Sequence, residues 1–356
     1  MQSSCLTWRL IITVISLFLA AQTSLAEGGI MSNSDRYIYA EDDQTAKAPA
    51  SGGYHYDLIF ASYAEDTSDV RSLLACVESI RAFAGKFSHA PFWIYMPDSL
   101  LPVARTIFEK VPGINVELRA STAPEESNNF FFGDKPFAAA RCEQEAAGKT
   151  AVLVWIDTDT IFLGEPVDFI LGKGICLKYR PVMHKNIGLL YSDPLDSFWG
   201  RAFEKLSVAE SSLFPMIAAA GGETLKPYFN AGLLVLNPEC GLLEVWANHF
   251  QTLYQDSAII ALSKQDRKKN IFLSQVALTA AILNKFKRTE MVELSDKYNY
   301  PIFFDEMFGA PRPFDSIEGV ITIRHEGYFQ KPAPDWEQKL KGPKDRIAWL
   351  KAHLVE

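Results

Sequence analysis

The sequence contains few cysteines and no dense run of positive charge. There are five cysteines in 356 residues, and none has the Cys-x-x-Cys spacing that binds zinc or marks a redox pair. The net charge is −8, and Lys and Arg are spread thinly, so no basic stripe is present that could neutralise a phosphate backbone. These absences argue against a zinc ribbon, a dithiol redox protein and a nucleic-acid-binding protein.

Apolar side chains, in contrast, are abundant. They make up 48% of the chain against 22% charged residues, which is ordinary for a globular protein long enough to bury a large core. There is no internal repeat and no second break in composition after the N-terminal segment. We therefore expect one domain, residues 54–356.

The N-terminal segment carries an apolar run of the kind found in export signals. Arg9 precedes the run 10–21, and Ser24-Leu25-Ala26 offers small residues at a cleavage site before Glu27. Residues 1–26 are therefore predicted to be a signal peptide that exports the chain to a periplasm, the extracellular space or a Golgi lumen. The run is shorter than the roughly twenty residues that span a bilayer, although extension through Ala26 leaves an uncleaved membrane anchor as the alternative.

Residues 27–53 are polar and end in Ala-Pro-Ala-Ser-Gly-Gly, which is typical of a disordered linker. Four cysteines follow the predicted cleavage site. An oxidising compartment would permit a disulfide, but the sequence indicates no pair: Cys76, Cys142, Cys176 and Cys240.

Strand and helix patterns alternate through the first half of the domain. Helices are predicted where apolar residues recur at helical spacing, and strands where short apolar runs occur. This βαβαβ order predicts an α/β domain with a mixed, mostly parallel sheet flanked by helices. The predicted strands are 56–61, 91–96, 114–118 and 151–156, and the predicted helices are 70–87, 99–110 and 135–147, the last capped by Asp134.

Two acids directly follow the most apolar of these strands. Asp157 and Asp159 stand two residues apart, so in extended backbone they project to the same side. Their repulsion favours a cation between them, and carboxylate oxygens suit Mg²⁺ or Mn²⁺. The C-terminal edge of an open α/β sheet is also where ligands collect. The alternative is a pair of solvated turn residues.

Three segments together resemble a known enzyme family. The acids at 157–159, the Phe-Asn-Ala-Gly sequence opening 229–237 and the His-to-Lys spacing within 325–332 occur in order. They are similar to motifs of the retaining glycosyltransferase family that includes glycogenin and the bacterial lipopolysaccharide galactosyltransferases. The likeness spans roughly residues 138–332, and it implies a GT-A-like fold that transfers a sugar from a nucleoside diphosphate-sugar to a glycan, lipid or protein acceptor.

The resemblance also implies roles for individual residues. Asp157, Asp159 and His325 would bind Mn²⁺ or Mg²⁺, with Asp157 also near the donor. Lys331 would hold the diphosphate, and the Gly327 amide would contact a phosphate, although this glycine arrives one residue early in the motif. The remaining residues implied by the resemblance are Arg141 for the donor, Asn230 for the sugar and Gln275 beside the anomeric carbon.

Each of these residues also has a structural interpretation. His325 ends a predicted strand, 320–324, and alternation places it on an apolar face where a core histidine is common. Asn230 could hydrogen-bond a turn, and Gln275, Arg141 and Lys331 could be surface residues.

Two other functions remain open at this level. Asp157-Thr158-Asp159-Thr160 also fits the nucleophile motif of a haloacid-dehalogenase-type phosphatase. A non-catalytic sugar- or nucleotide-binding relative is the other alternative, because Ser274 and Val276 replace the acids that flank the corresponding glutamine in the family.

Overall fold

The structure, a computed structural model, describes residues 57–111, 115–182 and 187–355. The predicted signal peptide or anchor and the predicted linker lie outside the described residues and stay predictions. Within the part of the chain that the structure describes, no helix combines the length and apolar character needed to cross a membrane.

The described chain contains twelve strands and eleven α-helices. In chain order the strands are β1 Ile59–Tyr63, β2 Phe92–Met96, β3 Val116–Ala120, β4 Leu153–Ile156, β5 Thr160–Phe162, β6 Leu177–Tyr179, β7 Met216–Ile217, β8 Thr224–Leu225, β9 Leu233–Leu236, β10 Met291–Glu293, β11 Tyr300–Pro301 and β12 Thr322–Arg324. The helices are α1 Thr67–Phe83, α2 Leu101–Phe108, α3 Lys135–Ala146, α4 Ser197–Lys205, α5 Leu242–Tyr254, α6 Ser257–Ser263, α7 Arg267–Ile271, α8 Leu273–Lys285, α9 Phe304–Phe308, α10 Trp336–Lys339 and α11 Lys344–Leu354.

Seven strands form the main sheet in the order β10-β6-β9-β4-β1-β2-β3. Only β9 runs against its neighbours β4 and β6, and the other pairs are parallel. All four residues of β4 are buried, as expected for a central strand covered on both faces. The predicted α/β class, with a mixed, mostly parallel sheet flanked by helices, is confirmed.

The helices that flank the sheet match the predicted helices closely. Asp66 caps α1 by accepting hydrogen bonds from the amides of Ser68 and Asp69. Asp134 occupies the N-cap position of α3, as predicted, but its side chain makes no hydrogen bond to the first turn of the helix. Its carboxylate instead accepts hydrogen bonds from Ser127 Oγ and Tyr63 Oη, at 2.8 and 3.3 Å.

The core lies on both faces of the main sheet. Helices α3, α5 and α8 pack against one another on one face, together with Trp155 and Trp246. Helices α1 and α2 cover the other face with Phe60 and Phe92. This two-sided packing leaves the ends of the strands, rather than their faces, to reach a ligand.

A second, three-stranded sheet places the C-terminal region next to the end of β4. Strand β12 pairs antiparallel with β5 in a register that sets Arg324 opposite Thr160. His325 therefore follows β12 next to Asp159, and its amide donates to the Asp159 carbonyl at 3.4 Å. This register joins sequence segments more than 160 residues apart at one edge of the main sheet.

Candidate active site

Asp157 and Asp159 lie in the turn between β4 of the main sheet and β5 of the three-stranded sheet. The amide of Asp157 donates to the carbonyl of Gly232 at the start of β9, and Thr158 Oγ1 donates to Asp69 at 3.0 Å. Because β4 and β1 are parallel, their C-terminal ends meet at this edge. The turn is thus anchored on both sides, by the segment before β9 and by helix α1.

Asp157 bonds two cationic side chains at once. Lys135 Nζ, from the first residue of α3, donates to Asp157 Oδ1, and Arg324 Nη1 donates to Asp157 Oδ2. The three side chains are only 14–16% exposed. Burial, followed by the nearby charge of Arg324, lowers the pKa of Lys135 to about 7. Both oxygens of Asp157 are therefore occupied by side-chain cations.

Asp159 is held mainly by the loop after β12. Its Oδ2 accepts a hydrogen bond from the Glu326 amide at 2.8 Å and lies 3.5 Å from Arg324 Nε. Burial alone would favour the neutral acid, but the charge of Arg324 and the hydrogen bond from the Glu326 amide lower the pKa of Asp159. Asp159 thus fixes the backbone of the loop that carries the predicted histidine and glycine.

His325 and Gly327 contact each other within this loop. His325 is 6% exposed, its Nδ1 accepts a hydrogen bond from the Gly327 amide at 3.2 Å, and burial lowers its pKa. An Nδ1 that accepts leaves the proton of the neutral imidazole on Nε2, and Nε2 has no hydrogen-bond partner among the described residues. A protonated Nε2 has no lone pair for a metal, and the Gly327 amide is already used.

These contacts test the predicted metal site. In the described segments, no group of three or more His, Cys, Asp or Glu side chains is arranged to hold a metal ion. Asp157 already bonds two cations, Asp159 bonds a backbone amide, and the histidine tautomer is the wrong one for coordination through Nε2. The arrangement therefore brings Asp157, Asp159 and His325 together but does not fit Mn²⁺ or Mg²⁺.

Asn230 lies beside this cluster. Its Nδ2 donates to the Val182 carbonyl at 2.8 Å, and its Oδ1 accepts from the Gly232 amide at 3.2 Å. A Cβ built on Gly232 would stand 2.5 Å from Arg324 Nη1 and 3.1 Å from Asn230 Oδ1. The segment before β9 thus passes directly under the Arg324 guanidinium, and Gly232 leaves the space that this group fills.

Gln275 and Lys331 are placed differently. Gln275 Oε1 accepts a hydrogen bond from Tyr228 Oη, so this glutamine is fixed by the residue that precedes the Phe-Asn-Ala-Gly sequence. Lys331 is exposed, at the end of the loop that begins with His325. Their roles at the anomeric carbon and the diphosphate stay predictions.

Arg141 is not among the residues that contact the acids. It is 48% exposed, and it donates to Glu145 Oε1 and to the Ala120 carbonyl, both at 2.7 Å. Ala120 ends β3, the edge strand, which is separated from β4 by two strands. Its predicted contact with the donor stays a prediction, and Lys135 of the same helix is the residue that reaches Asp157.

Lys135, Arg324 and Glu326 were missed by the sequence analysis. Glu326 Oε1 accepts from Arg324 Nε at 2.6 Å, and burial raises the pKa of Glu326. The available signal was local: Arg324 and Glu326 flank the predicted histidine, and Lys135 opens the predicted helix. The β5 to β12 register shows that Arg324 reaches Asp157, and the position of α3 brings Lys135 to the same carboxylate.

A second group of acids borders the cluster at the end of β1. Burial, followed by the charge of Asp69, raises the pKa of Glu65 to about 7. Burial also raises the pKa of Asp69 to about 6, and Asp69 accepts from the Glu65 amide at 2.9 Å. The site therefore combines the cations at Asp157 with two neighbouring carboxylates, Glu65 and Asp69, whose raised pKa values favour the protonated acids.

An α/β domain with polar residues gathered at the C-terminal edge of a mostly parallel sheet is the architecture predicted for a glycosyltransferase. Residues 69–285 match the family model described as the Rhodobacterales glycosyltransferase domain. This match covers more than half of the chain. The chain belongs to that family, and the prediction of a glycosyltransferase is confirmed.

Solved structures show more distant likeness. The galactosyltransferase LgtC, in complex with donor and acceptor sugar analogues, is 16% identical over 84% of this chain and 96% of its own, with a TM-score of 0.44. Glycosyltransferase GlyE of Streptococcus pneumoniae TIGR4 is 13% identical over 85% of this chain and 61% of its own, with a TM-score of 0.39. The mannosyltransferase Ktr4p of S. cerevisiae, in complex with GDP, is 9% identical over 80% and 78%, with a TM-score of 0.39. Among curated proteins, no sequence matches the chain significantly.

Proposed function

We propose that this glycosyltransferase uses a nucleoside diphosphate-sugar as donor and binds its diphosphate at the C-terminal edge of β4. The observation that carries the proposal is the pair of cations, Lys135 and Arg324, held at Asp157 beside the segment 229–232. Cationic side chains that meet at one point suit a diphosphate. The motif resemblance and membership of a glycosyltransferase family support the same donor class.

The chemistry follows from where negative charge develops. When the bond from the anomeric carbon to the diphosphate breaks, charge accumulates on the leaving oxygen, and fixed cations stabilise that charge. Asn230 and Gln275 would face the sugar, and the transfer would retain the anomeric configuration, as the resemblance to retaining enzymes implies. A phosphatase is less well supported, because the nucleophile of that mechanism, Asp157, has both oxygens bonded to cations.

A screen of donors tests this function. The purified full chain would be incubated with UDP- and GDP-sugars, and release of the nucleoside diphosphate would be followed by chromatography. We expect one donor to be hydrolysed slowly even without an acceptor, and NMR of the first-formed sugar to show the donor's anomeric configuration. Absence of both binding and hydrolysis for every donor would contradict the proposal, while inversion would contradict only the retaining part.

The reaction would occur after export, which rests on the predicted signal peptide, residues 1–26. A cleaved signal would leave a mature chain that begins at Glu27, and a retained anchor would leave the chain bound to membranes. Cell fractionation followed by N-terminal sequencing distinguishes the two. A cytosolic protein that keeps its first residues would contradict both.

A further inference from the structure

Arg324 takes the position between the two acids, where the resemblance implies a metal, and Lys135 bonds the other oxygen of Asp157. Asp157 separates them: Oδ1 accepts from Lys135 and Oδ2 accepts from Arg324. One carboxylate thus bridges two positive charges from different elements, α3 and β12. The carboxylate cancels part of their charge and keeps both groups at one point of the site.

Three features of the surrounding chain accommodate Arg324. Gly232 has no side chain where a Cβ would stand 2.5 Å from Nη1. Glu326 bonds Nε at 2.6 Å, and its backbone has φ 46°, a left-handed conformation that a residue with a Cβ rarely adopts. The Glu326 amide is held by Asp159 at 2.8 Å. A strained residue held from two sides indicates that the guanidinium is built into the site.

The two cations also keep unused donors. Within the described segments, no hydrogen-bond acceptor is assigned to Arg324 Nη2, and Lys135 Nζ uses one of its three hydrogens. The exposed Lys331 follows in the same loop as Glu326. A guanidinium fork and an ammonium are the side-chain groups that bind phosphate oxygens best. The free donors are therefore available to a diphosphate while Asp157 keeps its bonds.

We propose that Arg324 and Lys135 replace the divalent ion in this enzyme and bind the donor diphosphate directly, so that donor binding needs no metal. Asp157 and Asp159 then act as positioning residues for the cations and for the loop after β12. This inference rests on the proposed donor class.

Calorimetry on the full chain tests it. The protein would be titrated with UDP and with GDP, first in EDTA and then with excess Mn²⁺. We expect the dissociation constant in EDTA to lie within about threefold of that in Mn²⁺. Arg324→Gln and Lys135→Met should each weaken binding about tenfold or more, the scale of one charge-assisted hydrogen bond.

Two further variants sharpen the result. Arg201→Gln is the matched control, because Arg201 also bonds two acids, Glu204 on α4 and Asp256, which caps α6. Its loss should leave the affinity unchanged. Asp157→Asn should weaken binding several-fold and equally in EDTA and in Mn²⁺, because both cations lose the carboxylate that positions them. A metal site would lose only its Mn²⁺-dependent binding on the same change.

Binding that appears only with Mn²⁺ and disappears in Asp157→Asn would overturn the inference and leave the proposed donor class standing. Absence of binding in both buffers would overturn both. Should Arg324→Gln fail to fold, as judged by circular dichroism, Arg324→Lys decides the question: it keeps the charge without the fork, so intermediate affinity in EDTA supports the inference and wild-type affinity contradicts it.

Discussion

Glu143 is a buried carboxylate and Asp157 is a partly buried one, and the two differ in the kind of group that bonds them. Glu143 is 2% exposed and accepts hydrogen bonds from three consecutive backbone amides, those of residues 242–244 at the start of α5, at 2.8, 2.8 and 3.0 Å. Asp157 is bonded instead by the side chains of Lys135 and Arg324. Backbone amides at a helix start have no alternative position, whereas side chains can rotate toward a ligand.

This difference separates a structural acid from a functional one. Glu143 satisfies donors that α5 leaves unpaired in the core, and it carries the negative charge that a helix N-terminus prefers. Asp157 holds cations that a diphosphate can share. Burial by itself therefore does not identify the active-site carboxylate, whereas the chemical kind of its partners does, because side-chain cations can also bond a ligand.

The largest effect is expected for Glu143→Ala. Removal of the carboxylate leaves three amides of α5 unpaired in the core, at a cost of about 3 to 5 kcal/mol in the free energy of unfolding. Chemical denaturation measures this, with Glu244→Gln as the control, since that side chain is exposed and should change stability by less than about 0.5 kcal/mol. Equal stability of Glu143→Ala and the wild type would show that Glu143 does not stabilise the fold.

A second test uses pH. Burial raises the pKa of Glu143 from its ordinary 4.5 to about 7, against the opposing effect of the three amides. The folded state therefore holds this proton more tightly than the unfolded chain, so the associated stability is fully present below about pH 4.5 and is lost as the pH rises through 7. Over this pH range the free energy of unfolding falls by about 3 kcal/mol.

Denaturation at pH 5, 6 and 7 measures this loss. Glu65 and Asp69 have pKa values raised in the same direction, so the wild-type slope contains their contributions as well. Glu143→Gln should flatten the slope by the share that belongs to Glu143 alone. If the variant kept the full slope, the titration would belong to the acids near β1.

Gly232→Ala should weaken binding with little change in folding. The new Cβ would stand 2.5 Å from Arg324 Nη1, and the guanidinium, as the end of a flexible side chain, would move away from Asp157. We expect nucleoside diphosphate affinity to fall about tenfold, or about 1.4 kcal/mol, in calorimetry. A matched change at Gly200, where a Cβ meets nothing within 4 Å, should leave affinity intact. A large drop in melting temperature for Gly232→Ala would show instead that the space under Arg324 serves folding.

Much of this fold was predictable because it follows from local pattern. The apolar run before Asp157 predicted the buried strand β4, and the alternation of strands and helices predicted the mostly parallel sheet. Asp134 holds the predicted N-cap position, but its side-chain bonds to Tyr63 and Ser127 were not predictable, because they join separate segments. The cation pair was missed because Arg324 reaches Asp157 only through the register of β12 on β5, which depends on contacts between distant segments.

The smallest effect is expected for Tyr228→Phe. The buried Tyr228 hydroxyl donates to Gln275 Oε1, so its loss frees the glutamine side chain without opening a cavity. We expect a loss of about 1 kcal/mol in stability, together with a several-fold fall in kcat for donor hydrolysis at unchanged KM. If KM changed as much as kcat, Tyr228 would contribute to donor binding. An unchanged kcat would place Gln275 outside the reaction. Gln275→Ala should match Tyr228→Phe in kcat if the hydroxyl acts only by holding this amide.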